Sequence, residues 1–493
     1  MAWDKDNLKE IVKAKIGSYK FIIVSNREPY LHRFFGDEIR CVMPISGMAL
    51  VLNTVMQICG GTWVAHGSGE ADKDVVDSND HIQVPPENPN YTLRRVWLTK
   101  EEMNGYYFGF ANEGLWPLCH NAYTMPVFRK SDWDMYRKVN EKFAKIILEE
   151  MGDNEGFVFI QDYHFTLLSK ILKDKRPDIT VAQFWHIPWP NEETVRICPW
   201  ADEILEGLLG NNLLGFHIRY HCQNFLDTVD HFIEAKVDRE KSSITHNEKE
   251  TLIRPFPISV DFKKIENMSR QAEVEENIKR IKRDRRLKNR LIGIGVDRID
   301  YTKGILERFE AIDRFFEKYP QYIGRFTFLQ LGPLSRIHLQ QYKNYNDEVY
   351  HLMVEINEKY QFKDWQPIII HKTYFSQEDL INYYRLADIC IVSSLHDGMN
   401  LVAKEFVASR WDNDGVLILS RFTGTARELE TALLINPFAT DQFADTIKEA
   451  LEMDEEEKKK RMQRMREIVE ENNIYRWTAK ILSEIFKLGL EEI

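Results

Sequence analysis

At 493 residues the chain is long enough for two or three domains, and its 43% hydrophobic and 29% charged content is that of an ordinary globular protein. Sixty-six basic residues against 77 acidic ones give a net charge of −11, which argues against a nucleic-acid surface. Six cysteines (Cys41, Cys59, Cys119, Cys198, Cys222 and Cys390) show no CxxC spacing, which disfavours a disulfide framework or zinc site and predicts a reducing, cytoplasmic setting. Met1-Ala2-Trp3-Asp4-Lys5-Asp6 lacks the basic and apolar regions of a signal peptide, and no apolar run approaches about 18 residues, so no membrane partner is expected.

In chain order, Phe21-Ile22-Ile23-Val24-Ser25-Asn26-Arg27 reads as a buried strand ending in polar residues, followed by a helix over Ile45–Ile58 and a short strand, Trp63–His66. Phe157–Ile160 repeats the design, with Gln161-Asp162-Tyr163-His164 at its carboxyl end. Thr180–His186 repeats it again, Ile187-Pro188-Trp189-Pro190 blocking an immediate helix, and Leu213–His217 is a further strand. Residues 265–290 are charged and helix-favouring with little apolar surface, which predicts a solvated helix. The strand-helix rhythm restarts at Leu291–Val296 and continues through Phe326–Leu331, Pro367–Ile370, Ile389–Val392 and Val416–Ser420. Asp454–Lys460 reads as one exposed helical face and Trp477–Phe486 as an amphipathic helix. The expected fold is α/β, with two doubly wound domains.

Two strand-to-helix turns carry chemistry. After Ile389–Val392 comes Ser394-Leu395-His396-Asp397-Gly398-Met399-Asn400-Leu401-Val402-Ala403-Lys404-Glu405. Gly398 lets a ligand approach the backbone, the amides at Asn400 and Leu401 suit phosphate oxygens, and Asp397 and Glu405 can accept sugar hydroxyls. A capped helix with a turn glycine is the plainer reading of the same residues. After Leu291–Val296 comes Asp297-Arg298-Ile299-Asp300-Tyr301-Thr302-Lys303-Gly304, where Arg298 and Lys303 with helix amides can hold a diphosphate without metal. The alternative there is a surface ion pair of Arg298 with Asp300 or Asp297.

Arg27, Tyr107, Trp116 and Arg336 are separately weak signals but together offer guanidinium forks and aromatic faces for a sugar phosphate. Three further patterns are discounted. Asp132-Trp133-Asp134 follows Ser131 and reads as a capped helix start rather than a metal motif. His217 and His221 have metal spacing without a third ligand, and Gly293-Ile294-Gly295 lacks the third glycine of a dinucleotide fingerprint.

The ordered set Val24-Ser25-Asn26-Arg27, Tyr106-Tyr107, Leu115-Trp116-Pro117, Asp162-Tyr163-His164, His186-Ile187-Pro188, Arg298–Gly304, Ser335-Arg336 and Asp397–Glu405 resembles the trehalose-6-phosphate synthase family of retaining glycosyltransferases, from about residue 20 to about 487. The resemblance implies a GT-B-type architecture of two Rossmann-like domains facing a cleft. It implies an acceptor domain over 1–262, a nucleotide-sugar domain over 263–474 and a closing helix over 475–493 that crosses back onto the first domain. It also implies glucose transfer from a nucleoside diphosphate glucose (UDP-, GDP- or ADP-glucose) to glucose 6-phosphate, with no cofactor or metal.

Carried over by resemblance, Asp162, His186, Arg298, Lys303 and Asp397 are the catalytic set. Gly47, His186, Arg298, Lys303, Asp397, the Gly398, Met399, Asn400, Leu401 and Val402 backbone and Glu405 face the donor, and Arg27, Tyr107, Trp116, Asp162 and Arg336 the acceptor. Ser46-Gly47-Met48 stands where the family has Gly-Gly-Leu, Ala65-His66-Gly67-Ser68-Gly69 where it has a Trp-Ser-Gly-like segment, and His396 where it has Arg. These departures keep open glycerol 3-phosphate as acceptor, as in the similar glucosylglycerol-phosphate synthases, and a non-catalytic sugar-phosphate sensor is the third reading. The donor base and a homo-oligomeric state are left open.

Overall fold

Phe21-Ile22-Ile23-Val24 is apolar at every position because both faces of its strand are covered. In the computed structural model the strand Lys20–Arg27 lies inside a sheet with those four side chains buried. The structure describes residues 3–15, 19–43, 47–284 and 287–490. They fall into two compact units, one comprising Trp3–Pro257 with Tyr475–Ile493 and the other Ile258–Ile474.

The first unit holds a ten-stranded sheet. Its parallel core runs, in spatial order, Lys249–Pro255, Leu213–Phe216, Thr180–Phe184, Gly156–Gln161, Lys20–Arg27, Thr62–His66 and Tyr91–Val96. Antiparallel edges finish it, with Lys236–Asp238 and Ser243–His246 on one side and His81–Val84 on the other. From Lys20–Arg27 the chain builds outward on one side and then returns to Gly156–Gln161 on the other. The order therefore reverses between these two strands, and their carboxyl ends carry Arg27 and Asp162.

The second unit repeats the plan with six parallel strands, Ile368–His371, Phe326–Leu331, Leu291–Val296, Ile389–Val392, Val416–Ser420 and Leu433–Ile435 in spatial order. Here the reversal falls between Leu291–Val296 and Ile389–Val392, the strands that feed the two chemistry-bearing turns. The expected pair of doubly wound α/β units is present.

Several local expectations change. The charged stretch after residue 265 forms two helices, Phe262–Ser269 and Ala272–Asp284, and Val274 and Ile278 enter the core, so it is a packed amphipathic element rather than a solvated one. The helix after the first strand spans Gly47–Cys59; Ile45 and Ser46 lie outside the described residues. Ser131 is not a cap: the helix Lys130–Met151 starts one residue earlier on Arg129 and makes no side-chain cap bond. Met103–Leu115 is a π-helix, seen at its end where the Trp116 amide bonds Ala111 O, five residues back. No helix among the described residues is long and apolar enough to cross a membrane.

The closing helix, Ile474–Leu490, packs within the first unit. Trp477 Nε1 donates to Phe256 O at 3.0 Å, its ring meets Phe184 edge-on at 5.3 Å, and Phe486 meets Phe157 at 5.2 Å. Trp477→Ala removes a 3% exposed ring and should destabilise this unit by about 3–5 kcal/mol. Trp477→Phe, losing mainly the hydrogen bond, should cost about 1 kcal/mol. Urea unfolding followed by circular dichroism checks the pair; an unshifted transition in the alanine variant would show that this helix does not anchor the unit.

Candidate active site

In the second unit, Asp300 organises the turn after Leu291–Val296. It is fully buried, and its Oδ1 accepts from Thr302 N at 3.1 Å and Thr302 Oγ1 at 3.0 Å, capping the tight turn Tyr301–Lys303. Its other oxygen faces two guanidinium groups, Arg298 Nη2 at 3.5 Å and Arg336 Nη1 at 3.7 Å. Burial pushes the Asp300 carboxyl up, but Arg298, Arg336 and Lys303 outweigh burial and hold it below the usual carboxylate range. Arg298 thus makes the ion pair that its sequence allowed while keeping its side chain 35% exposed. Arg336, expected on the acceptor side, shares Asp300 with Arg298, adopts φ 43° and donates to the Tyr342 hydroxyl.

Lys303 Nζ meets Asp397 Oδ2 at 2.6 Å, joining the two turns directly. Burial works to lower the lysine pKa, yet Asp397 and Asp297 reverse this and keep it raised and charged. Asp397 Oδ2 also accepts from Ser394 Oγ and Asn400 Nδ2, each at 3.3 Å. Asn400 adopts φ 99° and ψ 97° and caps the helix Leu401–Ser409 by accepting from Ala403 N at 3.0 Å. The first amides of that helix, Leu401 and Val402, have no carbonyl of the helix to bond.

The backbone of Gly398 and Met399 is braced from beneath. Thr425 Oγ1 donates to Met399 O and Asn400 O at 2.9 Å, and a Cβ on Gly424 would lie 2.1 Å from Gly398 O. Met399 is buried, so its side chain belongs to the packing beneath the turn. Glu405 Oε2 accepts from Tyr384 Oη at 2.9 Å, and burial pushes its carboxyl up to about 7 against that bond.

In the first unit, Arg27 ends its strand and donates from Nη2 to Tyr107 Oη at 3.3 Å. The Tyr107 ring stacks on His164 at 5.7 Å and 14°, His164 stacks on Tyr163 at 4.2 Å, and Tyr163 lies 5.9 Å from Trp116. Arg27, Tyr107 and Trp116 are therefore joined through the rings of His164 and Tyr163, with Asp162 adjoining Tyr163 in the chain. Tyr106 and Tyr107 stand on the π-helix, which lies close to the helix Lys130–Met151 through glycines: a Cβ on Gly105 would meet Met135 Cβ at 2.7 Å.

Asp162 adopts φ 71° after its strand, and its Oδ1 accepts the His186 amide at 3.2 Å. His186 Nε2 lies 3.0 Å from Gln161 Oε1, and burial, with His164 nearby, pushes its pKa down to about 3, so the imidazole is neutral. His217 and His221 do not meet as ligands: each contacts the backbone of the loop after Thr180–Phe184, His217 at His186 O and His221 at Trp189 O. Asp132 and Asp134 are held in ion pairs by Arg129 at 2.9 Å and Lys130 at 2.8 Å. Gly47 opens the helix Gly47–Cys59.

The sequence placed Asp300 in an ion pair with Arg298, and Gln161 and His164 at a polar strand end, without giving any of the three a role in the site; Tyr384 shows no pattern before folding.

A family model for glycosyltransferase family 20 matches residues 19–487. A bifunctional trehalose-6-phosphate synthase/phosphatase of Thermoproteus tenax is 34% identical over 489 residues, 96% of this chain, and the chain spans 65% of that protein's length. Two solved structures share the fold at a TM-score of 0.84. One, from E. coli, is described as trehalose-6-phosphate bound with UDP-2-fluoro glucose; it is 30% identical, with 95% of this chain and 99% of that one covered. The other, an α,α-trehalose-phosphate synthase (UDP-forming) from Burkholderia xenovorans in complex with glucose-6-phosphate, is 28% identical, with 94% and 100% covered. With the family model spanning nearly its whole length, the chain belongs to glycosyltransferase family 20 and is an enzyme of that class.

Proposed function

We propose that this glycosyltransferase moves glucose from a nucleoside diphosphate glucose, UDP-glucose first among them, to glucose 6-phosphate with retention, giving α,α-trehalose 6-phosphate. The observation that carries the reading is the join of the two turns: Lys303 against Asp397 at 2.6 Å, with Arg298 beside them on Asp300. Two fixed cations and the amides of Leu401 and Val402 suit a diphosphate, on which negative charge grows as the glycosidic bond breaks. Held in place before the reaction, they stabilise that charge without reorganising, and the proposal needs no metal. The bound-ligand structures among the relatives, one with UDP-2-fluoro glucose and one with glucose-6-phosphate, support this choice of donor and acceptor.

In this reading Asp397, with the backbone of Gly398 to Val402, holds the donor sugar and phosphate, Glu405 the ribose, and Gly47 the donor side of the first unit. Asp162 and His186 receive hydroxyls of the sugars. Arg27, Tyr107, Trp116 and Arg336 receive the acceptor's ring and phosphate. Neither Asp397 nor Asp162 is assigned as a covalent nucleophile. Asp397 Oδ2 already takes bonds from Lys303, Ser394 and Asn400, which lowers its nucleophilicity, and Asp162 spends Oδ1 on the His186 amide. A neutral His186 orients rather than protonates. Retention is then met by front-face attack, with the leaving diphosphate taking the acceptor's proton and the protein supplying position and electrostatics.

Mass spectrometry of products from UDP-, GDP- and ADP-glucose against glucose 6-phosphate and glycerol 3-phosphate tests the reading. A disaccharide phosphate from glucose 6-phosphate is expected; product with glycerol 3-phosphate alone, or none with any pair, would overturn it. Arg298→Ala should cut turnover by about 100-fold or more, the scale of one lost electrostatic stabiliser, and an unchanged rate would remove Arg298 from the diphosphate.

The Glu405 carboxyl, titrating near 7, supplies a pH test. Ionised, it accepts ribose hydroxyls with both oxygens; protonated, it loses part of that capacity. Because burial raises its pKa, the competent form builds up as pH rises from 6 to 8, and the donor KM should fall several-fold over that window. Glu405→Gln should flatten this dependence, and a profile identical to wild type would place the titration elsewhere.

A further inference from the structure

Gly295 closes the Gly293-Ile294-Gly295 run that does not complete a dinucleotide fingerprint, and its neighbour explains why it carries no side chain. A Cβ at Gly295 would lie 2.1 Å from Arg308 Nη1 and 2.9 Å from Gln330 Oε1. Arg308, on the helix Ile305–Lys318, is fully buried. Its Nη1 donates to Gln330 Oε1 at 2.6 Å, its Nε to Ser393 Oγ at 2.9 Å and its Nη2 to Asp297 Oδ2 at 2.7 Å, with Lys303 O at 3.5 Å. Ser393 Oγ in turn donates to Gly304 O at 2.7 Å. One guanidinium thus meets a central strand, the turn that bears Arg298 and Lys303, and the start of the turn that bears Asp397.

Asp297 is buried beside two cations, Arg308 and Lys303. A buried carboxylate that loses one cation turns to the other, because an uncompensated charge in the interior is costly. Lysine at position 308 could not replace the arginine: one ammonium cannot span partners fixed in three directions, as the guanidinium fork does.

We propose that Arg308 is a positioning residue for the diphosphate end of the site: it holds the Asp297 carboxylate to itself, so that Lys303 stays with Asp397 and at the service of the donor, and Gly295 leaves it the room. The proposal rests on the reading of Arg298 and Lys303 as the groups that hold the donor diphosphate. Removing Arg308 lets Asp297 draw Lys303 away, which weakens diphosphate binding without touching residues of the acceptor.

Titration calorimetry with UDP, together with steady-state kinetics on UDP-glucose and glucose 6-phosphate, tests this in R308M, K303M, R308M/K303M, R308M/D297N and G295A. R308M should weaken UDP binding about tenfold while the acceptor KM stays within about twofold, and G295A, which displaces Arg308 without changing charge, should follow it. In the K303M background R308M should add less than about twofold, since a residue acting through Lys303 has nothing left to act on. An unchanged UDP affinity in R308M, additive losses in the double variant, or equal rises in donor and acceptor KM would overturn the proposal. If R308M does not fold, R308M/D297N decides, because it removes both charges of the buried pair: UDP binding near wild type supports the proposal, and binding as weak as in K303M overturns it. A wild-type chain that binds none of UDP, GDP and ADP would remove the diphosphate reading and this proposal with it, an outcome distinct from wild-type binding that R308M leaves intact.

Discussion

Where the order of strands in a parallel sheet reverses, two adjacent strands send their chains to opposite sides, and the carboxyl edge between them stays uncovered. Both units have one such place, and Arg27 and Asp162 in the first and Arg298, Lys303 and Asp397 in the second lie at or just after the strands that flank it. In the first unit the reversal lies between the strands that end in Arg27 and in Gln161, and in the second between those followed by Asp297 and by Ser393. The strands there are buried on both faces, so their side chains are fixed by packing and only the turns are free to carry polar groups. Position in the topology, more than any single residue, gives these turns their polar setting at the carboxyl edge of the sheet.

Such a turn brings charges into the protein's interior, and their desolvation has to be met by partners. The second unit meets it with a chain of opposite charges: Asp300 with Arg298 and Arg336, Lys303 with Asp397, and Arg308 with Asp297. No single pair of this kind is strong evidence for stability. Their combined effect is order, because each side chain has its orientation set by a neighbour that would otherwise be left uncompensated. An acidic protein of net charge −11 can hold a local cationic site on these terms, since the acidic residues within the site are already engaged.

The strands and the two turns were legible because their signals are local. Uninterrupted apolar runs such as Ile389–Val392, followed by glycine and acidic residues, describe a buried strand and a strand-to-helix turn within a dozen positions. What was missed depends on distant partners. The π-helix Met103–Leu115 takes its form where glycines admit Met135 and Asp132 from another helix. The charged stretch after residue 265 looked solvated because its second helix sends Val274 and Ile278 into the core with Ile281 partly buried beside them, and three apolar residues among so many charged ones make a faint period. A buried Arg308 resembles any helix-surface arginine until the missing side chain of Gly295 is set against it. The pairing of Arg336 with Asp300 beside Arg298, which leaves its proposed place at the acceptor untouched, is visible only once the sheet brings residues 300 and 336 together.

The His66–Gly69 segment, one of those that depart from the family's pattern, is tied to a buried charge network in the first unit. His66 is 9% exposed, with Nδ1 at 3.1 Å from Val96 O, and Ser68 N donates to Glu28 Oε1 at 2.7 Å. Glu28 in turn meets Arg95 Nε at 2.8 Å, and Arg95 Nη2 meets Asp72 Oδ1 at 2.9 Å. Two buried carboxylates share one guanidinium, so one of them gives up its charge. Burial pushes Glu28 up to about 8, while Asp72, supported by His32, Glu28 and Arg95 against burial, stays near 2. The His66–Gly69 segment is therefore bonded into the protein through the residue that follows Arg27, and that residue is itself held by Arg95. In the proposed function, a departure at His66–Gly69 changes what surrounds Arg27 on this support and leaves untouched the Arg298–Lys303 and Asp397–Glu405 turns proposed to hold the diphosphate.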